Sequence, residues 1–126
     1  MSIAVHSLVI LYVAFTAKHF LADYLLQSNW MLWGREQVHG WLAPLAAHAG
    51  CHAALTLVLA LVFAPALWWL ALVDFVVHAT IDRGKTLAVR ALRVANTDRS
   101  WWALFGGDQA LHQLTHFAYV IVMLTR

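Results

Sequence analysis

Four pairs of metal-ligating residue types recur along the sequence, with the two members of each pair four positions apart. The pairs are His19 with Asp23, His48 with His52, His78 with Asp82, and Asp108 with His112, which His116 follows after four more positions. In an α-helix, four residues turn the chain by about 400°, so both side chains of a pair project from nearly the same face. Each pair lies in or beside an apolar segment. The sequence therefore predicts one polar site built from four helices.

The composition is typical of a membrane protein. Of the 126 residues, 63% are hydrophobic and only 11% are charged, and the mean hydropathy is +0.71. Soluble domains carry about 25% charged residues. The length indicates one domain over residues 1–126. Because Cys51 is the only cysteine, an intrachain disulfide and a cysteine-based zinc motif are both excluded.

Four apolar segments come close to or exceed the roughly 20 residues that cross a bilayer. We expect spans at about residues 3–26, 42–63, 67–82 and 101–124, with tryptophans near their ends as at membrane interfaces. The predicted fold class is all-α, a polytopic bundle of four transmembrane helices. Between the third and fourth spans, an amphipathic pattern predicts a short helix on the cytoplasmic surface, with Leu87, Val89, Leu92 and Val94 on its apolar side.

The distribution of basic residues predicts the direction of the spans. These residues cluster in and beside the connections between spans one and two and between spans three and four, whereas the connection between spans two and three carries none. The positive-inside rule then places the basic side in the cytoplasm and both termini outside. Late positions in odd-numbered spans and early positions in even-numbered spans lie in the same leaflet. All four pairs are therefore expected in the cytoplasmic half. We interpret the net charge of +2 as this topology signal, and expect no nucleic-acid partner.

Imidazole and carboxylate groups are good ligands for zinc, iron, manganese and nickel. The predicted ligands are His19, Asp23, His48, His52, His78, Asp82, Asp108, His112 and His116. This set is too large for one tetrahedral ion and predicts two divalent transition-metal ions, zinc or iron, as in soluble di-metal bundles. A structural polar network and a proton or ion pathway are the alternatives. The metal interpretation is favoured because both the residue types and their spacing match ligand chemistry.

Other polar residues extend the same helix faces. Asp74 either fixes a histidine tautomer or forms a hydrogen bond with a serine or threonine. Gln27 lies four positions after Asp23, and Gln109 is expected to point towards a neighbouring helix. At the cytoplasmic mouth, Lys85 and Arg83 either contact lipid headgroups or bind a substrate phosphate.

The sequence resembles a family of small bacterial membrane proteins grouped as domain-of-unknown-function 3307. The resemblance covers nearly the whole chain and rests on Asp-x-x-x-Gln, His-x-x-x-His, Ile-Asp-x-x-Lys and Asp-Gln-x-x-His motifs in this order. It implies as signature positions Asp23, Gln27, His52, Asp82, Lys85, Asp108, Gln109 and His112. It also implies the bacterial inner membrane as the location. The resemblance strengthens the predicted site and leaves the reaction open.

The leading functional hypothesis is a metal-dependent hydrolase that acts on a lipid or lipid-linked substrate. A metal ion lowers the pKa of bound water towards 7, Asp23 or Asp108 would serve as general base, and Lys85 would lie near a substrate phosphate. A di-iron oxidase is the second hypothesis, because membrane desaturases have similar His-x-x-x-His pairs. A transporter or structural module is the third, and a haem protein ranks below these. Membrane lipids are the expected partners, and a homodimer is compatible with four short helices.

Overall fold

The computed structural model describes residues 3–126, and all of its regular secondary structure is helical, which confirms the predicted all-α class. Its five α-helices are α1 (Val5–Phe20), α2 (Asn29–Gly34), α3 (Leu42–Phe63), α4 (Leu70–Ala91) and α5 (Arg99–Thr125). A π-helical turn, Leu21–Leu25, extends α1, and a 3₁₀ turn, Pro65–Leu67, connects α3 to α4.

The four long helices pack into one bundle, with α2 at one end. The most extensive contact is between α3 and α4, and α5 packs against both α4 and α1. The short α2 lies on α3, where Gly34 faces Pro44. A Cβ atom on residue 34 would lie 2.5 Å from Pro44 Cγ, so this approach requires glycine. Ser28 caps α2 by accepting a hydrogen bond from the Met31 amide at 3.2 Å.

The interior is divided between an apolar half and a polar half. At the end near the α3–α4 connection, an apolar cluster is formed by Leu11, Phe15, Ala60, Ala64, Leu70, Tyr119, Val120 and Met123. The other half of the interior buries histidines, aspartates and Lys18. Large apolar side chains cover the outside of all four long helices, such as Val9, Val58, Val76 and Leu114. Contiguous exposed apolar surface of this kind is typical of a face that contacts lipid or protein.

Two helical segments have the length and apolar character needed to cross a membrane. They are Val5–Leu25, which combines α1 with its π-helical turn, and Leu42–Phe63, which is α3. Both agree with the predicted bounds of the first and second spans. At about 1.5 Å per residue, the 22 residues of α3 extend about 33 Å, close to the hydrocarbon thickness of a bilayer.

The prediction of a separate amphipathic helix between the third and fourth spans was wrong. Instead of ending near residue 82, α4 continues to Ala91. The reason is that Gly84 alone does not interrupt the helix and no proline follows it, so the backbone hydrogen bonds continue. The end comes at Arg93, whose φ is +51°. There the Val94 amide bonds to the Val89 carbonyl at 3.1 Å and the Arg93 amide to the Arg90 carbonyl at 3.2 Å, the pattern of a Schellman motif.

Candidate metal centre

The four predicted pairs meet at one level of the bundle, and Asp23 lies at the centre of the first group of contacts. Its Oδ1 atom is 2.8 Å from His52 Nε2 and 3.4 Å from His48 Nε2, both on α3. Its Oδ2 atom is 3.1 Å from His19 Nε2. Three imidazoles from two helices therefore face one carboxylate.

Asp82 is the centre of a second group of contacts. Its Oδ1 atom is 3.1 Å from His112 Nε2 on α5, and its Oδ2 atom is 3.4 Å from His48 Nε2 and 3.5 Å from His78 Nε2. Asp108 extends this group, since its Oδ1 atom lies 3.3 Å from His112 Nε2. The i, i+4 spacing thus brings both members of each pair to the same cluster.

Two sets of these side chains have ligand atoms close enough together to hold a metal ion. One set is Asp23, His48, His52 and His78, and the other is His78, Asp82 and His112; within each set the ligand atoms lie within 4.8 Å of one another. The first set offers four ligands, the usual number for zinc. Because both sets include His78, two ions would have to compete for it or share it.

The imidazole rings are buried and closely stacked. His52 and His78 have centroids 3.6 Å apart with planes at 27°, and His78 and His112 are 4.1 Å apart at 29°. Two protonated rings at these distances would repel one another strongly in a buried setting. The packing therefore disfavours simultaneous protonation of neighbouring rings, and a histidine binds a metal through its neutral imidazole.

The Nε2 atom of each of these imidazole rings faces the cluster, and the Nδ1 atom faces away from it. Within residues 3–126, no hydrogen-bond partner is present for Nδ1 of His19, His48, His52 or His78. Their Nε2 atoms make the contacts with Asp23 and Asp82. The shared direction of the Nε2 atoms is a geometry that a cation between them would satisfy.

Asp23 lies on the π-helical turn that ends the first long helix. This turn also bonds the Leu26 amide to the Leu21 carbonyl at 2.9 Å, a five-residue step. π-Helical turns inserted in α-helices occur frequently at functional sites. Here the wider turn carries the carboxylate that contacts both histidines of α3.

Three buried carboxylates each have a lysine or arginine partner, whereas Asp23 contacts only histidines within residues 3–126. Asp82 Oδ2 accepts from Arg35 Nη1 at 3.2 Å, and Asp108 Oδ2 accepts from Lys85 Nζ at 3.2 Å. Asp74 Oδ2 accepts from Lys18 Nζ at 2.8 Å. A carboxylate withdrawn from water is stabilised by a compensating positive charge, and at the half-buried Asp23 a bound cation would provide it.

His19 lies in the cluster as a hydrogen-bond donor. Its Nε2 atom is 3.0 Å from Gln109 Oε1, and the Gln109 amide donates from Nε2 to Asp108 Oδ2 at 3.2 Å. That donation fixes the amide orientation, so Oε1 must accept and His19 Nε2 carries the proton. His19 therefore supports Asp23 and Gln109 and belongs to neither ligand set.

Lys18 and His116 belong to a separate network centred on the Lys18–Asp74 pair. A hydrogen bond between Asp74 and a serine or threonine was one of the two expected roles and is observed, whereas the lysine partner was not predicted. Lys18 Nζ donates to Asp74 Oδ2 and also to His116 Nε2, 3.2 Å away. Thr56 Oγ1 donates to the same Asp74 oxygen at 2.6 Å. His116 thus directs Nε2 at Lys18 and away from both ligand sets. The signal for this network was a lysine in an apolar span, which must face the interior or find a partner.

Arg83 contacts the backbone rather than the cluster. Its Nη1 atom donates to the carbonyls of Arg35 and Gln37, each at 3.2 Å, and its guanidinium lies 4.1 Å above the Trp41 ring. Arg90 donates to the Glu36 carbonyl. These contacts attach the segment after α2 to α4 and hold Arg35 beside Asp82.

A cavity of about 360 Å³ opens onto the cluster from the end that carries α2. Its polar wall includes Asp23, Gln27, Arg35, Asp82, Lys85, Asp108 and Gln109. The ligand sets are therefore buried in the bundle but adjacent to open space. Such an arrangement leaves room for water or a substrate group beside a bound ion.

Comparison with known proteins gives a family without a described activity. A search of curated proteins found no match, and a search of solved structures found none either. The family model described as "Protein of unknown function (DUF3307)" matches residues 8–126 and so covers all four long helices except the first three residues of α1. The residues of the predicted signature all lie inside this match. The chain belongs to the DUF3307 family.

Proposed function

We propose that this protein is a membrane-embedded, metal-dependent hydrolase that acts on a lipid or lipid-linked substrate. The observation that carries the proposal is the position of Asp23. It is a half-buried carboxylate that contacts three imidazoles and no lysine or arginine within residues 3–126, and it lies at the edge of an open cavity.

The distribution of side chains supports four spans. Aspartates and histidines fill the interior of α4 and α5, while Leu72, Val76, Leu111 and Leu114 are exposed on their outer faces. This is the reverse of a soluble bundle, and it keeps ionisable groups away from lipid. Basic residues lie at the α2 end, including Arg35, Arg83 and Arg90, so this end is cytoplasmic and both termini are outside. We further propose the bacterial inner membrane as the location.

The first ion would bind to Asp23, His48, His52 and His78. His78 is then unavailable to the other set, which retains Asp82 and His112 as its own ligands. Because Arg35 already compensates Asp82, a second ion would bind there more weakly. Zinc and iron both suit a site of three imidazoles and one carboxylate.

The cavity residues supply the remaining groups that hydrolysis needs. Asp108 would serve as general base and then as general acid, accepting a proton on Oδ1 and returning it to the leaving oxygen. Its Oδ1 atom has no hydrogen bond within residues 3–126, although His112 Nε2 lies 3.3 Å away, while Oδ2 is held by Lys85 and Gln109. An ion held by Asp23, His48, His52 and His78 would supply an activated water for hydrolysis.

The apolar cluster near the α3–α4 connection favours the hydrolase hypothesis over an ion pathway. Leu11, Phe15, Val120 and Met123 fill the interior beyond the Lys18–Asp74 pair. A transport pathway would need polar groups or water in that region. The polar cavity instead opens only at the end of the bundle that carries α2, among the residues that the structure describes.

Metal content is the first test of the proposal. We expect protein purified in detergent to retain about one equivalent of zinc or iron per chain by elemental analysis. His52→Ala should lose at least 100-fold in metal affinity, because removing a direct ligand costs more than the 10–100-fold typical of outer partners. His39→Ala is the matched control, since His39 is exposed outside the cluster. Protein that binds no metal under these conditions would refute the proposed function.

Isotope labelling separates hydrolysis from the di-iron alternative. Metal-loaded protein would be incubated with bacterial phospholipid vesicles in H₂¹⁸O, and the products analysed by mass spectrometry. Hydrolysis places ¹⁸O from water in a product, because water supplies the oxygen that is added to the substrate. Label that enters a product only from ¹⁸O₂ would instead support the di-iron oxidase hypothesis.

A further inference from the structure

A second cavity adjoins the polar cavity and has a different lining. It encloses about 520 Å³ between the segment around α2, the end of α4 and the start of α5. Aromatic rings dominate its wall, namely Trp33, Trp101, Trp102 and Phe105. Leu32, Arg35, Lys85 and Phe105 line both cavities, so the two lie side by side and share these residues.

The aromatic wall is ordered by contacts among its own rings. The Trp101 and Phe105 rings are parallel within 5°, with centroids 5.5 Å apart, and Trp101 contacts Trp102 edge to face at 4.9 Å. Trp33 and Trp102 each leave about 60% of their surface exposed. Exposed rings held in place offer apolar contact area to a ligand at low entropic cost.

Lys85 lies at the junction of the two cavities. Its Nζ atom is 5.7 Å from the Phe105 ring centroid on one side and 3.2 Å from Asp108 Oδ2 on the other. An ammonium has three donors, so Lys85 retains donors for a ligand after pairing with Asp108. Arg35 likewise retains donors after pairing with Asp82.

The charge of the polar cavity depends on the metal. Three carboxylates, Asp23, Asp82 and Asp108, face two cations, Arg35 and Lys85, so the wall carries a net charge of −1. A divalent ion at Asp23 changes this balance to +1. An anionic group is therefore repelled before the metal binds and attracted afterwards. Glu36 lines the aromatic cavity and disfavours a second anionic group there.

We propose that the two neighbouring cavities together bind a single amphiphile that has one phosphate-type anionic headgroup and an apolar chain. The headgroup lies between the metal, Arg35 and Lys85, and the chain lies against Trp101 and Phe105. Binding is ordered, because the metal must be present before the anion is attracted. This substrate class rests on the proposed function, since it uses the same metal site.

Calorimetry with three soluble probes tests this class. Hexylphosphonate carries both features, inorganic phosphate carries only the headgroup, and hexyltrimethylammonium carries the chain with the opposite charge. With metal-loaded protein in detergent, we expect hexylphosphonate to bind at least tenfold more tightly than either of the others. Removing the metal should weaken hexylphosphonate at least tenfold.

Two variants assign the two halves of the ligand. Lys85→Gln keeps a donor to Asp108 but removes the charge, and should weaken the binding of both anions about tenfold. Its control is Arg99→Gln, at an exposed arginine.

Phe105→Ala should weaken the binding of hexylphosphonate about tenfold and leave the binding of inorganic phosphate unchanged. Its control is Trp68→Ala, at an exposed tryptophan near the other end of the bundle.

Metal content measured in the same samples separates the two proposals. Equal affinity for inorganic phosphate and hexylphosphonate in metal-loaded protein would overturn the amphiphile and leave the metal site intact. Equal affinity of hexylphosphonate for the loaded and metal-free protein would overturn the ordered binding of the anion at the metal. Absence of metal from the wild-type protein would refute the proposed function itself, which is a result distinct from these two.

Discussion

Asp23 and Asp74 are carboxylates in the interior of the same bundle, Asp23 half-buried and Asp74 fully buried, and their partners differ in kind. Asp74 accepts hydrogen bonds from Lys18 and Thr56, at 2.8 and 2.6 Å, and its charge is compensated by an ammonium. Asp23 contacts three imidazoles, which carry charge only when protonated. The Lys18–Asp74 pair is complete within the protein, whereas the Asp23 cluster would be completed by a cation.

The difference separates a structural polar network from a binding site. A buried ion pair loses several kcal/mol of stability when one partner is removed, because the other charge remains unpaired in the interior. A metal site lacks its central charge until the ion binds, and its binding free energy then contributes to the stability of the fold. Substitutions in the two clusters should therefore affect different measurements.

The largest expected effect on stability is at Lys18. Lys18→Met leaves Asp74 buried without its cation, and we expect the free energy of unfolding to fall by about 3–5 kcal/mol. Chemical or thermal unfolding in detergent measures this loss. The metal affinity of the folded fraction should change by less than threefold, and a large loss of metal affinity would contradict the separation of the two clusters.

Asp23→Asn should show the opposite behaviour. The carboxamide keeps the size of the side chain but removes the ligand charge, so metal affinity should fall about 100-fold, or about 2.7 kcal/mol. The metal-free protein should unfold within about 1 kcal/mol of the wild type, because no lysine or arginine loses its partner. Asp74→Asn is the matched control and should lose stability while it retains the metal. If the two variants exchanged these results, the comparison would be wrong.

Thr56→Val sharpens the comparison with a smaller change. The substitution preserves the shape of the side chain and removes one of the two hydrogen bonds to Asp74 Oδ2. We expect a loss of about 2 kcal/mol in unfolding free energy, as for a hydrogen bond to a charged group. Titration with zinc should give the wild-type affinity, whereas a shift of more than threefold would connect Thr56 with the metal cluster.

Acidification should weaken only the metal cluster. A proton and a metal ion compete for the same imidazole nitrogen, so metal affinity should fall as the pH is lowered. Between pH 7.5 and pH 5.5 we expect a loss of about tenfold or more, measured by competition with a chelator corrected for its own protonation. The metal-dependent part of the thermal stability should disappear in parallel. Affinity that is independent of pH would exclude histidine ligation.

Much of the site was predictable from residue spacing, because helical geometry is local. The i, i+4 steps place His48 with His52 and His78 with Asp82 on single faces whatever the tertiary packing. The alternation of late and early positions placed all four pairs at one level of the bundle. The extent of α4 was less predictable, because the apolar pattern ends near residue 82 while the backbone hydrogen bonds continue to Ala91.

Partners that come from distant parts of the chain could not be predicted. Arg35 pairs with Asp82 across 47 positions, and Lys18 pairs with Asp74 across 56. Spacing along one helix contains no information about which residue of another helix lies opposite. For the same reason, the sequence predicted nine ligands, whereas the structure brings six of them together in two overlapping sets and leaves out His19, Asp108 and His116.

The sequence by itself determined an all-helical apolar chain, the faces that carry histidine and aspartate, and the level at which these faces meet. These features follow from composition and from 3.6 residues per turn. The tertiary structure decided which carboxylate lacks a cation, that His78 belongs to both ligand sets, and that a polar cavity lies beside an aromatic one. Those outcomes depend on the rotation and distance of helices against one another, which side-chain packing sets across the whole bundle.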